Sequence, residues 1–351
     1  MVESTATPPA TVILWVHPRS CSTMFECAIL QRPDDFEVLH EPMGDAFYFG
    51  PERISKRYSP EQCAKEFPHY AEATFKKTWE NVIKPNETKR TFSKGGARRY
   101  HPSALERNAD VLGTLSDMAQ YICNQASSTD IKSVPSLGPV DPSNPTLIPK
   151  DSLLSPSVIH TFLIRTPSKA VPSYHRLCYP GSPTGFEYWD PEETGLRELR
   201  LLFDYIRKQT GRTPLVLDSE DLLADPEGIM KVWCDEVQVR FDPSMLEWNE
   251  GTREHFVSLL LSAVGSNCLL IESSNLIPTH TTSTSQKKWP GFHTSAEASK
   301  GVGKGLSKDH ITPSNHGTPN GETPKFPDDV VECIVANTED YEYLRGFVKK
   351  A

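Results

Sequence analysis

The sequence predicts an α/β protein: a mostly parallel, three-layer sheet of five strands with helices on both faces. Three observations carry that prediction. Five short strand-forming runs recur along the 351 residues, and helix-compatible stretches separate them. The strongest runs are apolar throughout rather than alternating, the pattern of strands buried on both faces. Apolar residues make up 37% of the chain against 24% charged, enough for a substantial core. In such sheets ligands bind beyond the carboxyl ends of the strands, so functional residues are expected just after each run.

After a polar leader (1–10), TVILWV at 11–16 is the first strand, stopped at His17-Pro18, and a helix is expected over Ser22–Gln31. FEVLH at 36–40 is the second strand, ending near Pro42. A helical pattern runs from Ser59 to Ile83, with Phe67, Tyr70, Phe75, Trp79 and Val82 at three- and four-residue spacing. TKRTFSK, 88–94, is a third strand, and Ala104–Cys123 an amphipathic helix. Residues 124–157 are rich in Ser and Pro and form an insertion without a repeat. SVIHTFLIR, 157–165, and PLVLD, 214–218, are the fourth and fifth strands, with helices expected at Ser168–Leu177 and Glu192–Gln209. Asp225-Pro226-Glu227 carries a helix-start signal, with Pro at the first helical position. Helices are further expected over Thr252–Ile271 and Asp328–Lys349, separated by a polar segment at 276–326.

A formal net charge of −9 argues against a nucleic-acid partner, because such binding depends on phosphate neutralisation by Lys and Arg. The apolar run Val12–Val16 is too short for a signal-peptide core, and no run approaches the length of a membrane span. The expectation is therefore a cytoplasmic protein, no membrane partner, and eight scattered cysteines held as thiols. No Cys/His cluster has zinc-ligand spacing and the histidines show no i, i+4 pairing, so no metal is expected.

His17-Pro18-Arg19-Ser20-Cys21-Ser22-Thr23 joins the first strand to a helix. Such a turn is an anion site in the making. Free N–H groups and the positive end of the helix dipole converge, Arg19 adds a forked cation, and Ser20, Ser22 and Thr23 add hydroxyls. GxxxxGK[ST] is absent, which with no clear Walker B acid disfavours a kinase. The turn resembles the 5′-phosphosulfate loop of the sulfotransferases, P-[KR]-S-G-[ST]-T, a branch of the P-loop folds with microbial and fungal members. Cys21 stands where that loop usually has glycine, a residue that permits backbone angles a side chain resists. The resemblance also implies a 3′-phosphate element, a strand-end Arg followed eight residues later by a helical Ser. Arg165 and Ser173 supply it.

The resemblance implies a single P-loop-type domain over 1–351. It implies 3′-phosphoadenosine 5′-phosphosulfate as donor substrate, held by Arg19, Ser20, Cys21, Ser22, Thr23, Arg165 and Ser173. A sulfuryl group would pass to a hydroxyl or amine of a small-molecule acceptor, such as a secondary metabolite. Arg19 would stabilise the bridging oxygen of the leaving phosphate. His40-Glu41, at the end of the second strand, supplies candidate bases; strand alternation lets one of them face the site, and Glu41 is favoured. Lys94, where relatives carry a Lys-Asp pair, is a further candidate. Asp218 and Ser219 are expected to cap a helix or brace the sheet. In sulfotransferases a C-terminal basic loop, K-x-G-x-x-G, also closes over the 3′-phosphate; the basic, aromatic Gln286–His293 and the glycine-rich 300–305 approach it without that spacing and are expected instead to be a solvated tail. Two other functions fit the same motifs. One is a sulfotransferase-fold enzyme recruited for cyclisation, dehydration or acyl chemistry; the other is a nucleotide-binding interaction protein without turnover.

Overall fold

The computed structural model describes residues 11–53, 55–84, 89–96, 143–146, 148–248, 292, 299–303 and 326–351. Five strands, β1 (Thr11–Val16), β2 (Phe36–Leu39), β3 (Arg90–Gly96), β4 (Val158–Ile164) and β5 (Leu215–Asp218), form one sheet in the order β2-β3-β1-β4-β5. Every pairing is parallel. β1 lies at the centre, with Val16 opposite Gly96 on one side and Leu163 on the other. All six of its residues are buried, as an uninterrupted apolar run requires.

Alternate β1 side chains feed two cores. Val12, Leu14 and Val16 pack with Met24, Phe25, Ala28 and Trp233, whereas Ile13 and Trp15 pack with Phe47, Trp79, Phe162 and Phe203. The first face is covered by α1 (Ser22–Leu30) and α9 (Pro226–Glu236), with α8 (Ser219–Ala224) leading into it. The second is covered by α2 (Met43–Tyr48), α4 (Phe75–Val82), α7 (Leu196–Thr210) and α10 (Asp328–Arg345). The chain leaves β1 toward β2 on the α1 face and passes from β4 to β5 over the other face. The crevice between the ends of β1 and β4 is thus the sheet's switch point.

Local chemistry explains where the expected elements shift. The continuous helix expected over Ser59–Ile83 is two helices, α3 (Pro60–Glu66) and α4, joined by a 3₁₀ turn at Pro68–Tyr70. Pro68 pushes Phe67 out of the helical region, to φ −128°, and Thr74 restarts the helix by capping the Lys77 N–H at 3.1 Å. The helix expected from Glu192 starts at Leu196, because 191–194 is a 3₁₀ turn ended by Gly195 at φ +73°. Two short helices had no sequence signal: α2, and α5 (Lys150–Leu153) inside the Ser/Pro-rich stretch. α6 (Pro167–His175) and α9 fall where expected, Asp225 capping the Gly228 N–H at 3.0 Å. The expected helices Ala104–Cys123 and Thr252–Ile271 lie outside the described residues.

The expected solvated tail is partly a packed element. Residues 299–303 run beside 246–248: Trp248 Nε1–H donates to the Ser299 carbonyl at 3.0 Å, the Val302 N–H to Leu246 at 3.1 Å, and Val302 is buried against the α1 side. One apolar Val between small residues is enough to dock so short a strip. No helix among the described residues is long and apolar enough to cross a membrane.

His160 on β4 sits in the core. Trp15 Nε1–H donates to its Nδ1 at 2.9 Å, and its Nε2–H donates to the Leu153 carbonyl at 2.8 Å. Burial pushes the imidazole down to about 4. A folded value below the unfolded 6.5 means that stability is complete above pH 6.5 and is lost as pH falls toward 4. Wild type should therefore lose about 2 kcal/mol between pH 7 and pH 5 that His160→Gln does not lose, on the scale of ~1.4 kcal/mol per unit. Parallel urea titrations of both proteins check it; equal losses would refute the assignment.

Candidate functional site

The loop after β1 turns sharply. Arg19 and Cys21 both hold positive φ, +65° and +62°, and Cys21 is the left-handed N-cap of α1. That is the conformation the usual glycine adopts without strain, so Cys21 occupies it at a cost of about 1–2 kcal/mol. Cys21→Gly should leave the melting temperature within a few degrees of wild type, since relief of strain offsets the added freedom of the unfolded chain. Cys21→Val, β-branched, should melt at least 5 °C lower; equal melting of the two variants would show that the loop is unstrained. Burial raises the Cys21 thiol, so the side chain is no ready nucleophile.

Elements far apart in the chain brace this turn. The Arg165 backbone N–H donates to His17 Nε2 at 2.9 Å, which puts the imidazole proton on Nδ1, facing the Pro18 carbonyl at 3.1 Å. The Arg165 guanidinium donates to the Arg19 carbonyl at 3.0 Å, and the Ser219 hydroxyl lies 2.6 Å from the Ser20 carbonyl. Arg19 Nε–H donates to Ser173 Oγ at 3.0 Å, and its NH1 to the Phe292 carbonyl at 2.6 Å. The two motifs, 154 residues apart, thus meet directly. Burial, then the nearby guanidinia of Arg165 and Arg176, lower Arg19 to about 10. Three arginines crowded this way favour an anion between them. Ser20 is fully buried, yet its Oγ has no hydrogen-bond partner. A buried hydroxyl without a partner is costly, and a ligand oxygen at the loop would satisfy it.

The second half of the site centres on Lys94. Its ammonium, fully buried on the carboxyl half of β3, lies 3.0 Å from Glu26 Oε2 and 3.3 Å from Glu41 Oε1, and donates to Thr23 Oγ1 at 3.2 Å. His40 Nδ1 lies 2.9 Å from the same Glu26 oxygen. Burial opposes ionisation of Glu26, but His40 and Lys94 outweigh it and hold the carboxyl at about 2. An ionised Glu26 only accepts, so the His40 proton sits on Nδ1. Burial likewise opposes the charge on Lys94, and the two carboxylates more than restore it.

Strand alternation allowed one of His40 and Glu41 to face the site; both join the cluster. β2 ends at Leu39 and Glu41 adopts φ +41°, so the backbone has left the strand before alternation applies. The sequence reading missed Glu26, whose signal was a lone carboxylate inside the apolar helix run TMFECAIL. It also missed Arg176, which follows Ser173 by three residues and so shares its helix face. Asp218 caps Glu220 at 2.7 Å and accepts from Tyr341 at 2.8 Å, the bracing role expected of it. Tyr174 and Phe186 are core residues, while Tyr188 is exposed.

No protein-family model matches the chain. The branched-chain-amino-acid aminotransferase-like protein 2 of Arabidopsis thaliana is 26% identical over 237 residues, 68% of this chain and 31% of that protein. The corresponding protein 1 is 34% identical over 92 residues, 26% of this chain and 15% of that protein. The chain thus spans less than a third of the length of either relative. Among solved structures, the sulfotransferase domain of the Synechococcus PCC 7002 olefin synthase aligns at 14% identity over 94% of both chains, with a TM-score of 0.39. The sulfotransferase domain from the curacin biosynthetic pathway aligns at 14% identity over 68% of this chain and 77% of that one, with a TM-score of 0.34. At such scores these likenesses carry no inference about the chain.

Proposed function

We propose that the protein is a sulfotransferase that moves a sulfuryl group from 3′-phosphoadenosine 5′-phosphosulfate to a hydroxyl or amine of a small molecule. The observation that carries this reading is the contact between Arg19 and Ser173 at 3.0 Å. It joins a phosphosulfate-type loop to a 3′-phosphate-type element from a distant part of the chain. The unsatisfied Ser20 hydroxyl and the three crowded arginines fit an anionic donor.

In this reading the loop N–H groups at Cys21, Ser22 and Thr23, with the Ser20 hydroxyl, hold the phosphosulfate, and Arg165 and Ser173 hold the 3′-phosphate. The acceptor oxygen or nitrogen bonds to sulfur as the bond from sulfur to the bridging oxygen breaks. Arg19 takes the charge on that oxygen, and the acceptor's proton passes to Glu41 or His40. Lys94, against Thr23, adds a fixed positive charge to the same end of the loop. The products are a sulfated or sulfamated acceptor and 3′,5′-adenosine bisphosphate.

Calorimetric titration with 3′,5′-adenosine bisphosphate tests the donor site. Wild type should bind in the micromolar range, and Arg165→Ala should weaken binding at least tenfold through loss of a charge-assisted contact. A folded wild type that gives no heat with the nucleotide overturns the reading.

A further inference from the structure

Four residues after Arg165 comes Lys169, and four after that Ser173, so Lys169 and Ser173 share one face of α6 and Lys169 lies between the two expected phosphate ligands. The Lys169 ammonium is paired with Glu220 Oε2. The other oxygen of that carboxylate, Oε1, lies 3.6 Å from Arg165 Nε. One carboxylate therefore bridges two cations. It bridges them poorly: Arg165 Nε and Glu220 Oε1 are both shielded from solvent, and neither has a hydrogen-bond partner. A separation of 3.6 Å is Coulombic contact, outside hydrogen-bond range. Glu220 is the second residue of the short helix α8, where Asp218 caps its N–H at 2.7 Å and holds its backbone in place.

We propose that Lys169 is a third ligand of the nucleotide's 3′-phosphate and that Glu220 is the internal anion this phosphate displaces. The inference rests on the donor-site reading above and deepens it. A phosphate monoester carries nearly two negative charges and three oxygens, against one charge and two oxygens for the carboxylate. It can reach Arg165, Lys169 and Ser173 together. The exchange is inexpensive, because Lys169 and Glu220 are about a third exposed, 35% and 31%, and a pair this solvated contributes little to stability. Once displaced, the Glu220 carboxylate turns to water. The arrangement makes Glu220 a competitor of the ligand, so its removal should tighten binding, a sign that a merely structural residue would not give.

The test titrates wild type, Lys169→Met and Glu220→Gln with two nucleotides: 3′,5′-adenosine bisphosphate, and 5′-AMP, which lacks the 3′-phosphate. Lys169→Met should weaken the bisphosphate about tenfold and Glu220→Gln should tighten it about threefold to tenfold, with 5′-AMP affinity unchanged in both. Lys169→Gln serves as a second variant if the methionine protein fails to fold. Wild-type binding of the bisphosphate with no effect at Lys169, with equal effects on both nucleotides, or with weaker binding in Glu220→Gln overturns this inference and leaves the donor reading standing. Failure of folded wild type to bind either nucleotide overturns both.

Discussion

Replacing Glu26 with leucine should lower stability by about 3–5 kcal/mol, the cost of breaking a buried ion pair by removing one partner. Glu26 and Lys94 are both fully buried, 3.0 Å apart. Without the carboxylate, the Lys94 ammonium keeps Glu41 as its charged partner among the described residues, at 3.3 Å, and the His40 Nδ1 contact with Glu26 is lost. The double variant Glu26→Leu/Lys94→Met should recover most of the loss, because a matched apolar pair needs no desolvation of charge. Urea unfolding at pH 7 measures both; a loss under 1 kcal/mol in the single variant would show that the cluster is hydrated rather than dry. The pH dependence has a definite sign. With the folded carboxyl near 2 and its ordinary value at 4.5, the contribution of Glu26 is complete above pH 4.5. It disappears as pH falls toward 2. Wild type should show this acid-limb loss and the double variant should not. The window lies below that of His160, so the two effects separate on one pH series.

Arg19→Ala should weaken 3′,5′-adenosine bisphosphate at least a hundredfold while leaving the ligand-free melting temperature within a few degrees of wild type. The two halves have one electrostatic cause. Burial, with the nearby Arg165 and Arg176 adding repulsion, depresses Arg19 to about 10, so its charge in the ligand-free protein carries a cost that the Ser173 and Phe292 contacts only offset. Deleting the guanidinium removes both, with small net change. An anion reverses the account: each charge-assisted bond from a buried arginine contributes about 1.5–3 kcal/mol, and two of them exceed a hundredfold. Thermal melts with and without nucleotide read both quantities, because ligand binding raises the wild-type midpoint by mass action. A variant with an undiminished nucleotide-induced shift would remove Arg19 from the site. Arg19→Lys should recover part of the affinity but not all, since an ammonium lacks the planar fork that meets Ser173.

The fold was legible in the sequence where its physics is local. A strand buried on both faces must be apolar throughout, and TVILWV and the core of SVIHTFLIR say so directly. Capping residues and prolines marked α9 correctly. Pro68 marked the break between α3 and α4, although helical spacing on either side masked it. The anion loop was legible because its chemistry is contiguous, running from Pro18 to Thr23 in six residues. What the tertiary structure alone decided depends on groups distant in sequence and opposed in energy. The ionisation of Glu26 balances burial against His40, just after β2, and Lys94 of β3, and no window of the sequence contains both. The strain at Cys21 and Glu41 is a property of backbone angles that composition does not encode. The meeting of Arg19 with Ser173, and of Lys169 with Glu220, follows from the parallel register that sets the ends of β1, β4 and β5 side by side. Periodicity fixes which face of an element is buried; register and crossover decide which side chains that burial brings into contact.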